Sequence, residues 1–159
     1  MSQFFTQNSE IIIKLLVSMS LGMVVGVERY LAHKTAGMRT YSLVAMGSAL
    51  FIIISESISA SHIAISNISI NPSQMAAAVI TGIGFLGAGL ILHQESRVIG
   101  ITSASGLWVA AGIGMAVGFG LYALAIFATI LILFIFVILW LLEKKIIDRI
   151  SGKFPSPKE

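Results

Sequence analysis

The chain has 159 residues, 57% of them hydrophobic and only 11% charged, with a formal net charge of +3. A soluble globular domain carries about 25% charge, so most of this chain must face lipid or other apolar helices, and little is left for a separate soluble domain. With no cysteine it has no disulfide, thiolate metal site or cysteine nucleophile, and its basic residues flank apolar runs rather than forming a patch for nucleic acid.

Met1–Ser9 is polar, and a first apolar span covers about residues 10–27. It has no basic leader and is followed by Glu28-Arg29, which argues against a cleaved signal peptide. Lys14 lies near its end, where a long stem can reach the interface. Ser18, Gly22 and Gly26 recur every four residues, a stripe of the kind that lets helix backbones approach closely in lipid. Glu28–Arg39 is the most charged connection, with Gly37 as a turn residue, and a second span follows over about 40–58. Residues 55–73 read as a loop rich in Ser, Ile and Asn, with an Asn67-Ile68-Ser69 sequon and Glu56 exposed to solvent. Pro72 suits the start of the next span.

The third span, about 74–92, is uncharged. At roughly 100° per residue its glycines divide between two sides, Gly82 and Gly89 on one, Gly84 and Gly87 on the other. That division predicts a helix in the middle of the bundle with neighbours on both sides. The same glycines admit a second reading, a helix weak enough to open and offer carbonyls to an ion. GIGFLG at 82–87 matches G-x-G-x-x-G letter for letter, but a dinucleotide site needs that pattern between a strand and a helix, not within an apolar run. No cofactor is expected.

His93–Ile101 is a polar connection, and Thr102 or Ser103 can cap the fourth span, about 103–118, in which Ala110, Gly114 and Gly118 form another small stripe. Gly118-Phe119-Gly120 makes a short turn, so spans four and five are antiparallel neighbours. The fifth span, about 121–142, is bulkier; Phe127, Phe134 and Phe136 are expected to face lipid, with Tyr122 and Trp140 at the interfaces. Residues 146–159 form a short basic tail, amphipathic at first, that ends at Pro155 and Pro157. The whole reads as all-α: one polytopic membrane helix bundle over residues 1–145, with about five transmembrane helices, and the tail 146–159.

Five spans put the chain ends on opposite sides of the bilayer. With the amino end outside, nine of the ten Lys and Arg residues lie in the cytoplasm, Lys14 being the exception, as the positive-inside rule expects. Glu28, Arg29, Arg39, Thr40, Thr102 and Ser103 then gather in one cytoplasmic layer. A carboxylate at that depth needs a partner, which Arg39 or Arg29 can supply, and the amino end of the fourth span adds free N–H groups. Either the pair locks a helical hairpin, or the layer binds an ion, a lipid head group or a partner. One carboxylate per face is too few for a dedicated Mg²⁺ cage, and no nucleophile stands beside a base, so neither a metal site nor an enzyme is expected.

Three segments, GVERYLAHKTAGMRTYSLVAMGSALF from Gly26, PSQMAAAVITGIGFLGAGLI from Pro72 and VIGITSASGLWVAAGIGMAVGFGLY from Val98, together resemble the MgtC/SapB family of bacterial inner-membrane proteins. The family's G-x-E-R and A-G-L-R-T signatures fall on Gly26, Glu28, Arg29, Ala36, Gly37, Arg39 and Thr40, with Met38 in place of leucine. Gln74 and Ala78 stand where the family usually has an arginine and a glutamine, and the soluble domain that many members carry after the last helix has no counterpart before Glu159. The resemblance implies an inner-membrane protein associated with low magnesium and, in some members, with survival inside host cells. Its best-known member is described as restraining the F-type ATP synthase. The expected function is a non-enzymatic regulator that touches another membrane complex in the lipid bilayer. The alternatives are a cation transporter or channel using Glu28, and a structural homo-oligomer.

Overall fold

The computed structural model describes residues 8–66, 72–94 and 97–151; the sequon at 67–69 and the prolines at 155 and 157 lie outside them. The elements are α1 (Ser9–Leu31), α2 (Met38–Ser66), α3 (Pro72–Leu90), a hairpin of β1 (Leu92–Gln94) and β2 (Arg97–Ile99), and α4 (Ile101–Gly118). A last helical run joins α5 (Tyr122–Phe134), a π-helical segment (Ile135–Leu139) and α6 (Trp140–Ser151). Among the described residues five stretches are long and apolar enough to cross a membrane: Ser9–Leu31, Met38–Ser59, Ser73–Leu90, Ile101–Gly118 and Tyr122–Ile146. A helix pairs its own backbone polar groups, which is what hydrocarbon demands of a spanning segment.

The bundle is built around α4. Of its span 56% is buried, against 11% for α3, which corrects the expectation that the third span sits in the middle. Small residues make this possible. A Cβ placed on Gly114 would run into the carbonyl oxygen of Ala45, and one on Gly118 would lie 2.8 Å from the Cβ of Ile52. Across the α1–α2 contact, a Cβ on Gly22 would come within 2.5 Å of the Tyr41 carbonyl oxygen, and one on Gly26 within 2.6 Å of the Met38 Cα. On α3, Gly82, Gly84 and Gly89 face nothing within 4 Å, and a Cβ on Gly87 would sit an ordinary 3.6 Å from that of Ala104. Periodicity tells which residues share a face; it does not tell whether a neighbour occupies that face.

Five further differences are local. α2 runs on to Ser66 through the stretch read as a loop; Ser57 donates its hydroxyl to the Ile53 carbonyl at 2.9 Å, so serine is accommodated within the helix. Glu56 is not simply solvated, because the Lys14 ammonium lies 3.7 Å from it and 3.3 Å from Glu10. The connection after α3 is an antiparallel hairpin pairing Leu92 with Ile99, His93 with Val98 and Gln94 with Arg97. The residue at the start of α4 is then Gly100 rather than Thr102 or Ser103. The turn from β2 into the helix requires φ +93°, which glycine adopts freely, and no side chain caps the end. Phe136, expected to face lipid, is 6% exposed.

Candidate functional site at the polar end of the bundle

α1 ends just past Glu28 and Arg29. The Lys34 N–H donates to the Arg29 carbonyl and the His33 N–H to the Tyr30 carbonyl, each at 3.0 Å, the pair of hydrogen bonds that defines a Schellman cap. The left-handed residue that such a cap needs is His33, at φ +55°. The chain therefore leaves the helix directly below the ionic pair.

Arg29 is 4% exposed. Its Nη2 donates to Glu28 Oε1 at 2.7 Å and its Nε donates to Oε2, so both carboxylate oxygens are taken in a bidentate pair. The guanidinium carbon lies 3.6 Å from the ring centroid of Phe136, a cation–π contact at a largely dry position. Phe136 comes from the π-helical segment, where a widened turn changes the direction of the side chains relative to an unbroken α-helix. Deeper in, Tyr41 is fully buried and donates its hydroxyl to the Ser103 carbonyl at 3.2 Å. Gly106 leaves room for both rings: a Cβ there would collide with the Tyr41 hydroxyl and lie 2.7 Å from Phe136 Cζ.

Above this layer opens a pocket of about 590 Å³, with Glu28, Arg29 and Lys34 on one wall, Thr102 at the start of α4, and Trp140 and Glu143 on α6. Of the residues singled out in the sequence, Glu28, Arg29 and Thr102 thus border one space, and Ser103 lies buried beside it. Arg39 and Thr40 are exposed and line no part of it; the partner of Glu28 is Arg29, not Arg39. Tyr41, Gly106, Phe136 and Glu143 belong to this region without having been singled out for it. Glu143 and Trp140 follow a long apolar run, where the pattern reads only as an interface, and the small size of Gly106 hints at packing without naming the rings it admits.

A second, apolar groove of about 510 Å³ runs between α2 and α3, bordered by Gly47, Ser48, Phe51, Ala78, Gly82 and Leu86. Phe85, on α3, is 81% exposed. Among the described residues no three of His, Asp and Glu gather as a metal site would require.

The model of the MgtC family matches residues 15–145. The chain is 40% identical over 127 residues to the putative magnesium transporter YhiD of Escherichia coli (strain K12), covering 80% of this chain and 59% of that protein. It is 42% identical over 122 residues to protein MgtC of Salmonella typhimurium (strain 14028s), covering 77% of this chain and 49% of that one. A Haemophilus influenzae protein is 43% identical over 122 residues, 76% of this chain and 51% of its own length. The chain thus spans about half the length of these relatives. No solved structure matches it.

Proposed function

Because this chain belongs to the MgtC family and is a multi-pass membrane protein of the MgtC/YhiD type, we propose that it acts without catalysis, by seating another membrane complex against its third helix. The observation that carries this reading is the open side of α3 at Gly82 and Gly89, where an added Cβ would meet nothing within 4 Å. Backbones exposed in this way let a foreign helix approach closely, which is the main source of helix affinity in lipid. The host is the bacterial inner membrane, with the Glu28–Arg29 end in the cytoplasm, and the setting is magnesium limitation or stress. An F-type ATP synthase, the partner described for the best-known member, is the first complex to look for. Gly82→Leu and Gly89→Leu should each abolish recovery of the partner from solubilised native membranes while the protein still inserts. Undiminished recovery with both variants would refute the reading.

The competing reading, transport of Mg²⁺ or another cation through Glu28, has a relative's name in its favour. Against it stands Arg29, which occupies both oxygens of that carboxylate. Liposomes containing the protein should show no Mg²⁺, K⁺ or H⁺ flux above empty ones; flux abolished by Glu28→Gln would establish transport instead.

A further inference from the structure

The pocket at the polar end has an uneven charge arrangement. Its floor is neutral, since Glu28 and Arg29 satisfy each other. Its walls carry one ammonium, Lys34, and one carboxylate, Glu143, on different elements, both exposed and neither within ion-pair distance of an opposite charge among the described residues. Both line the same space, which therefore offers a visitor one positive and one negative group; Lys144, outside the lining, keeps its ammonium over the Trp140 ring, 5.6 Å from the centroid. The remaining lining matters as much. Val137, Leu139 and Trp140 continue the wall along a helix that crosses the bilayer, so one side of the pocket is apolar and leads toward the hydrocarbon. Its volume of about 590 Å³ is in the range of small-molecule sites, about 300–1,000 Å³.

From these features we infer that the pocket binds the head group of a zwitterionic aminophospholipid. The lipid phosphate lies against Lys34 and the Thr102 hydroxyl, beside the first turn of α4, which no side chain caps. The lipid ammonium lies against Glu143, and the first carbons of the acyl chains follow Val137 and Leu139. A purely anionic lipid would satisfy Lys34 but would place its charge in the same small space as Glu143. A choline head group would keep the charge but lose the N–H donors to that carboxylate. The site is independent of whether a protein partner sits on α3.

Trp140 reports from inside the pocket, and Trp108 is the only other tryptophan. The Trp108→Phe protein in detergent micelles can therefore be titrated with dihexanoyl phosphatidylethanolamine, phosphatidylcholine and phosphatidylglycerol, and with free phosphoethanolamine, following Trp140 emission. Saturable binding of the ethanolamine lipid is expected, weakened about tenfold by Lys34→Ala and by Glu143→Gln, as loss of a charge-assisted contact requires. Both side chains are exposed, so both variants should fold, and an unchanged melting profile checks it. The choline lipid should bind more weakly and respond little to Glu143→Gln. Three results would overturn the assignment: no saturable change with any lipid, tighter binding of phosphatidylglycerol that Glu143→Gln leaves alone, or free phosphoethanolamine binding as tightly as the lipid.

Discussion

His33 closes α1 with φ at +55°, a conformation that costs a residue with a β-carbon on the order of 1–2 kcal/mol. His33→Gly should raise the melting temperature of the detergent-solubilised protein, and His33→Val should lower it, because a β-branched side chain fits that region worst. Three equal melting temperatures would show that the turn is not held in this form. The ionic pair next to it points the other way. Glu28→Gln leaves a guanidinium that is 4% exposed with only a neutral acceptor, a loss of roughly 1.5–3 kcal/mol. Arg29→Lys should not preserve stability, since an ammonium has neither the planar fork for two oxygens nor a flat face for Phe136. Thermal unfolding of both variants in one detergent measures this directly.

The contrast between α3 and α4 gives predictions of opposite sign for the same kind of substitution. Gly114→Ala drives a methyl group into the Ala45 carbonyl and should destabilise by roughly 1–3 kcal/mol. Gly84→Ala meets open space and should be neutral, or stabilise α3 by up to about 1 kcal/mol through helix propensity. Urea or thermal titration of the pair decides it. The same contrast marks how far the sequence could be read. The existence of five spans was legible, because uninterrupted apolar length is set by bilayer thickness and needs no knowledge of neighbours. The pairing of Glu28 was half legible: a carboxylate at the end of a span announces the need for a partner, but Arg29 and Arg39 were equally eligible by position. The choice of central helix was not legible, since the glycines of α3 and α4 look alike until packing fills one face and leaves the other open. Nor was the burial of Phe136, which follows from a π-helical turn that apolar residues do not announce.

For the whole molecule, the decisive expectation concerns direction. The polar end is where α1 stops and α4 begins, and positive charge clusters in the segments beside it, so a cysteine introduced at position 34 should react with a membrane-impermeant reagent only after the cells are opened. Labelling in intact cells would reverse the orientation proposed above. The opposite end is tied by Lys14, itself 12% exposed, between the more exposed Glu10 and Glu56; Lys14→Met removes both pairs and should leave labelling at position 34 unchanged.

One small element ties the outer helix to the interior. The paired ribbon between α3 and α4 has three residues per strand in fixed register, and its exit at Gly100 is wedged against the Leu90 carbonyl. The end of the third helix is thereby held beside the first turn of the fourth, where the Ser103 carbonyl accepts the hydroxyl of Tyr41. A short ribbon thus places the least buried helix one turn of chain away from a ring sealed from both lipid and water.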